Sequence, residues 1–194
     1  MSFIIYSIVI LLLSFYLYTI YTNKQQHYNM AKLKVGDDAP EFTSQDGNGN
    51  SVTLAQFKGK ILVLYFYPKD ETPGCTKEAC SFRDSYEDFT KAGASVVGVS
   101  SDSKESHQKF SAKHRLPFTL LSDDGSLAKK YKVGKNLLVV PARTTFIIDQ
   151  NSKIVSIHNS LFDAESHIKE SLKVIEGLKS TTPTTTASDA SAAN

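Results

Sequence analysis

Cys75 and Cys80 are the only cysteines in the chain, and both fall in Cys75-Thr76-Lys77-Glu78-Ala79-Cys80. Two cysteines are too few for a disulfide-stapled scaffold or a four-ligand zinc site, so their chemistry is that of thiols. A thiol becomes a nucleophile as its thiolate, and a helix N-terminus favours that form through unpaired N–H groups and the positive end of the dipole. The residues before Cys75 predict such a start. In Tyr67-Pro68-Lys69-Asp70-Glu71-Thr72-Pro73-Gly74, Pro68 cannot continue a strand ladder, a loop follows, and helical spacing begins near Cys75. Thr72, three residues before Cys75, can curl its hydroxyl toward the sulfur, and Gly74 lets backbone approach closely.

Cys80 falls on the same predicted helix, about 140° around the axis from Cys75, with the Cα atoms roughly 8–9 Å apart. A disulfide spans no more than about 7 Å between Cα atoms without backbone movement. Joining the two sulfurs would therefore require the first turns of the helix to unwind. The spacing suits an enzyme that cycles between a folded reduced form and a locally unfolded oxidised form, and it does not suit a static staple.

The elements that must position these thiols are legible around them. Residues 61–67 (ILVLYFY) form a continuous apolar run, as expected of a strand buried on both faces. Residues 95–100 and 144–148 read the same way, and 154–157 reads as a hairpin partner to the latter. Helical periodicity runs over 75–91, 103–113 and 163–175, with Ser103 and Asp163 as N-caps. Buried strands alternating with helices predict an α/β architecture with helices on both faces of the sheet. His107 and His114 are placed on a solvent-facing helix with no role, and Glu78 is expected to pair with a neighbour.

The 194 residues suit one domain with appendages. A net charge of +2, with scattered Lys and Arg, excludes a nucleic-acid partner. The expected organisation is a hydrophobic signal-anchor or targeting segment with linker at 1–29, a globular domain at 30–179, and a disordered Ser/Thr/Ala-rich tail at 180–194. Residues 3–21 carry no charge, and Tyr16, Tyr18 and Tyr21 sit where an interfacial belt would place them. They predict a membrane-anchoring helix, with the domain on the reducing side because Lys24, Lys32 and Lys34 follow the run. Organelle targeting, or a soluble form starting at Met30, is the alternative.

PKDETPGCTKEAC at 68–80 resembles the active site of the peroxiredoxins, whose Pro-x-x-x-Thr-x-x-Cys is met by Pro68, Thr72 and Cys75. A second cysteine five residues on is similar to the peroxiredoxin Q (bacterioferritin-comigratory-protein) subfamily. The likeness extends over about 33–178, through VGDDAPEF at 35–42, Gly98-Val99-Ser100, Asp102-Ser103, Ser106-His107, Leu116-Pro117-Phe118, Leu121-Ser122-Asp123 and residues 141–149; residues 132–140 depart from it. The resemblance implies a thioredoxin-like fold, a central mixed β-sheet flanked by helices, and reduction of hydrogen peroxide and organic hydroperoxides in antioxidant defence. It implies Cys75 as the peroxidatic cysteine and Cys80 as the resolving one, joined in a redox disulfide. Thr72 and Arg143 would hold and polarise the peroxide, and Pro68 would shield the sulfur. It further implies thioredoxin or a similar dithiol as reductant, no cofactor or metal, and a monomer. Two other classes compete. A membrane-tethered thiol–disulfide oxidoreductase would show C-x-x-C, whereas four residues separate Cys75 from Cys80. A redox-sensing binding protein would consume peroxide stoichiometrically.

Overall fold

A computed structural model describes residues 11–20, 32–136 and 140–181. The chain divides into two units, residues 1–34 and 35–194. In the first, residues 11–20 form a helix (α1) with every side chain exposed. Among the described residues no helix is long and apolar enough to cross a membrane, which overturns the expected transmembrane helix over 3–21. The remainder of that segment, and residues 182–194 of the expected tail, lie outside the described residues.

Among the described residues, the second unit has nine strands: β1 (Thr43–Asp46), β2 (Ser51–Thr53), β3 (Ile61–Phe66), β4 (Ala94–Ser100), β5 (Thr119–Ser122), β6 (Lys135–Asn136), β7 (Val140–Pro141), β8 (Thr144–Ile148) and β9 (Ile154–Asn159). Five helices accompany them: α2 (Pro73–Asp84), α3 (Tyr86–Lys91), α4 (Lys104–His114), α5 (Ser126–Lys130) and α6 (Ala164–Thr181). Seven strands form one mixed sheet in the order β2-β1-β5-β4-β3-β8-β9, and β6 pairs with β7 apart from it. Strands β3, β4 and β5 run parallel, while β8 is antiparallel to both β3 and β9.

Every residue of β3 and β8 is buried, as their unbroken apolar runs require of strands covered on both faces. The register sets the site. Phe66 at the end of β3 pairs with Val99 on one side and with Thr144 on the other. The chain leaving β3 toward Cys75 therefore emerges beside the residue that precedes Thr144, which is Arg143. Beneath the site, Tyr65 stacks on Phe82 of α2 with ring centroids 4.6 Å apart. Gly98 makes this possible, because a Cβ there would stand 2.7 Å from the Tyr65 ring.

The helix expected over 75–91 is two helices, broken at Ser85. Glu87 and Asp88 in the first turn of α3 suit a new N-terminus and its dipole. Ser103 caps α4 by accepting from the Ser106 N–H, and Asp163 Oδ1 accepts from the Ser166 N–H at 3.0 Å before α6. Helix α4 is not solvent-facing along its length: His107 is 1% exposed and Phe110 is fully buried. Phe110 is the helix's only large apolar residue, so hydrophobicity alone leaves its inward face unmarked.

Candidate active site

Helix α2 begins with Thr72 as N-cap and Pro73 in the first position, where a missing N–H costs nothing. Cys75 lies in that first turn, 2% exposed and a free thiol. Arg143, 4% exposed, reaches it from the start of β8, with Nη2 donating toward Cys75 Sγ at 3.5 Å. Its other nitrogens are engaged too. Nη1 donates to Glu78 Oε2, and Nε donates to the Leu161 carbonyl at 3.3 Å. Gly74 leaves room for the guanidinium, since a Cβ there would stand 3.1 Å from Arg143 Nη2.

Glu78 is fully buried one turn beyond Cys75 on the same face of α2. Burial pushes its carboxyl up to about 8 against the opposing pull of the Arg143 guanidinium. Oε1 of that carboxylate has no hydrogen-bond partner and faces His167 Nδ1 at 3.7 Å. His167 is itself fully buried on α6, between the Thr145 hydroxyl at 2.7 Å and the Ser160 carbonyl at 2.9 Å. Burial pushes its imidazole down to about 4, so it is neutral at pH 7.

The other residues singled out in the sequence lie close by in the chain. Thr72 Oγ1 donates to the Lys69 carbonyl at 3.0 Å, which folds the loop onto itself rather than aiming the hydroxyl at the sulfur. Pro68 is half-buried just past β3, after Tyr67, whose N–H donates to the Val99 carbonyl at 3.0 Å. The loop is tied down by Asp70, which accepts from Tyr67 Oη at 2.7 Å and Ser106 Oγ at 2.8 Å and meets His107 Nδ1 at 2.9 Å. Burial alone would push the Asp70 carboxyl up, but bonds from His107 and Tyr67 outweigh it and hold the group below its ordinary range. His107 thus holds the loop that carries Cys75, a correction to the roleless surface residue expected.

Cys80 is a half-buried free thiol further along α2, and its Sγ lies 3.9 Å from His114 Nδ1. An offset of five residues puts the two cysteines on different faces of an intact helix. Sequence reasoning missed Glu78, His167 and His114 as parts of the site. For Glu78 the signal was its i+3 spacing from Cys75. For His114 it was the stripe His107, Phe110, His114, whose spacing marks one helical face. His167 approaches only through the packing of α6, which no local pattern reveals.

A nucleophile-bearing helix that starts beyond a central strand, with a buried arginine beside the sulfur, defines a thiol-dependent enzyme on a thioredoxin-like fold. The pattern of the AhpC/TSA family matches residues 35–157. The chain is 52% identical over 151 residues to a chloroplastic peroxiredoxin Q of Sedum lineare, covering 77% of this chain and 81% of that one. Among solved structures, the peroxidoxin BcpB of Mycobacterium tuberculosis superimposes with a TM-score of 0.71 at 36% identity, covering 75% of this chain and 98% of the other. Peroxiredoxin Q of Xanthomonas campestris does so with a TM-score of 0.66 at 34% identity, covering 70% and 90%. The chain belongs to the AhpC/TSA family, as a thiol peroxidase of the peroxiredoxin Q type that acts on hydroperoxides. The Sedum relative carries the description chloroplastic. That description, with no helix among the described residues long and apolar enough to cross a membrane, overturns the membrane-tethered localisation expected from residues 3–21.

Proposed function

We propose that Cys75 is the peroxidatic cysteine and Cys80 the resolving one in a two-cysteine cycle. The observation that carries the reading is the 3.5 Å contact between Arg143 Nη2 and Cys75 Sγ inside a buried first helical turn. The Cys75 thiolate attacks the nearer peroxide oxygen, the O–O bond breaks, and the far oxygen leaves as hydroxide or alkoxide to be protonated. Arg143, a permanent cation, stabilises the thiolate and then the charge growing on the departing oxygen. Thr72 and Pro68 border the loop through which the peroxide approaches, Pro68 shielding the sulfur from water and the Thr72 hydroxyl turning toward the bound oxygen.

The product, a Cys75 sulfenic acid, condenses with the Cys80 thiol to a disulfide and water before further oxidation. An intact α2 forbids this step, so its first turns unwind. Thioredoxin or a similar dithiol then reopens the disulfide by exchange. Both cysteines lie on α2 of the same chain, so the cycle needs no second copy and is read as that of a monomer, and the compartment named for the Sedum relative supports delivery to an organelle. A mass spectrum after one equivalent of peroxide tests the cycle. A Cys75–Cys80 disulfide is expected, and a stable sulfenic or sulfinic acid on Cys75 with Cys80 still free would overturn it.

A further inference from the structure

The resolving thiol has a set of partners of its own. Cys80 Sγ faces His114 Nδ1 at 3.9 Å, and His114 Nε2 faces Glu71 Oε1 at 3.6 Å. The imidazole and its backbone are held within the packing of α2 and α4. Phe110 packs edge-on at 4.8 Å between centroids, the His114 carbonyl accepts from Arg83 Nη1 at 2.9 Å, and the His114 side chain is only 17% exposed. Nε2 is buried without a hydrogen-bond partner, so the Glu71 carboxylate is the acceptor nearest to it. Glu71 has φ of 61°, a backbone conformation rare for a side-chain-bearing residue, and it is fixed there while Lys113 Nζ takes its other oxygen at 2.6 Å. The hydrogen bond from Lys113 holds the Glu71 carboxyl below its ordinary range, so it stays a carboxylate. Arg83, on α2 with Cys80, adds a second cation beside the sulfur.

We propose that His114 is a catalytic base for the resolving step, oriented by Glu71. The arrangement has the order of a nucleophile, base and orienting carboxylate. With its proton on Nε2, toward Glu71, the neutral ring presents the Nδ1 lone pair to the Cys80 thiol. Nδ1 takes that proton, and Glu71 and Arg83 stabilise the resulting imidazolium and thiolate. The Cys80 thiolate attacks the Cys75 sulfenic sulfur, the S–O bond breaks, and hydroxide departs. The proton from His114 converts that hydroxide to water, so one thiol and one sulfenic acid yield one disulfide and one water. The transfer takes place while α2 is still folded, and unwinding then releases a sulfur that is already a nucleophile.

This assignment rests on the two-cysteine cycle proposed above, and one measurement separates the two. In a Cys75→Ser protein, only Cys80 reacts with iodoacetamide. Its alkylation rate at pH 7 is expected to fall at least fivefold when His114→Phe is added, and to fall less with Glu71→Gln. In the protein with both cysteines, quenched-flow mass spectrometry after one equivalent of peroxide should show Cys75 oxidation at the wild-type rate. Disulfide formation should then be slowed at least tenfold by His114→Phe, within the usual range for a general base. His114→Gln, which keeps a polar group but no base, should behave alike, and circular dichroism checks that each variant is folded. Unchanged alkylation and unchanged disulfide rates in both His114 variants would overturn the role of His114. Absence of any disulfide in the wild type would overturn the two-cysteine cycle, while the alkylation result still decides His114.

Discussion

Arg143 Nη2 stands 3.5 Å from Cys75 Sγ on a guanidinium whose other nitrogens are already held by Glu78 and by the Leu161 carbonyl. The cation is therefore positioned before any peroxide arrives, and charge that develops near the sulfur meets a fixed partner. A lysine would keep the charge but cannot hold all three directions at once. Arg143→Lys is expected to lower kcat/KM for hydrogen peroxide by about 10²–10³, the usual loss for one preorganised donor. Stopped-flow peroxide consumption checks this, and a loss under threefold would show that the guanidinium's geometry is irrelevant.

The same contact makes a prediction for Gly74. A methyl group there would lie 3.1 Å from Arg143 Nη2 and push the guanidinium aside by a few tenths of an ångström. Gly74 does not need positive φ, so the backbone tolerates alanine. Gly74→Ala should cost about three- to tenfold in kcat/KM, since sub-ångström displacements of this kind are felt in the rate. Its urea midpoint should match the wild type. A rate loss accompanied by an equal loss of stability would point instead to a misfolded loop.

The sequence carried the frame of the site because the frame is local. The apolar run of β3, the prolines at 68 and 73 and the helical spacing after them placed Cys75 at a helix start without reference to the rest of the chain. Strand β8 showed itself by the same kind of run, and with it the position of Arg143. What was hidden is set by packing across long separations. Glu78 and Arg143 are 65 residues apart, and their pairing follows from the register of β3 on β8, which no spacing announces. The burial of His107 and His114 was masked because α4 carries charge around most of its surface and only Phe110 marks its inner face. The short strand β1 was missed because its polar, half-exposed alternation resembles loop sequence, and β5 because only Leu120 and Leu121 mark it as buried.

Cys80→Ser separates the two halves of the cycle. The variant keeps Cys75 and Arg143 and is expected to consume one equivalent of peroxide at the wild-type rate. It should then stall in the presence of thioredoxin and a thioredoxin reductase. Multiple turnovers at wild-type rate would remove Cys80 from the cycle and leave the reductant acting directly on Cys75.

Below the site, Gly98→Ala tests the packing that carries α2. The added Cβ would lie 2.6 Å from Leu120 Cδ2 and 2.7 Å from Tyr65 Cζ, and Tyr65 is fully buried against Phe82 of α2. Neither ring can retreat, so the overpacking should cost about 1–3 kcal/mol in urea unfolding. Peroxidase activity should fall less than stability, because Arg143 and Cys75 are anchored by other contacts. A stability loss under 0.5 kcal/mol would mean that β4 yields more readily than its burial implies.

The Glu78 carboxyl and the His167 imidazole drive stability in opposite directions with pH. The folded Glu78 carboxyl titrates near 8 against 4.5 for an ordinary glutamate. The folded state therefore holds the extra proton between those values, and stability falls as pH rises through them. The His167 imidazole titrates near 4 against 6.5. Its folded state holds fewer protons in that interval, so its contribution rises from about pH 4 to 6.5 and is lost on acidification. Below pH 6.5 the two trends oppose each other, and above it only that of Glu78 remains. From pH 6.5 to 8 the wild type should lose up to about 2 kcal/mol, at about 1.4 kcal/mol per pH unit. Glu78→Gln cannot ionise and should flatten that decline, whereas His167→Gln should leave it intact and let stability go on rising as the pH falls below 6.5. Urea midpoints at half-unit pH steps decide the matter, and equal slopes for wild type and Glu78→Gln above pH 6.5 would show that this carboxyl is ionised throughout, held so by Arg143.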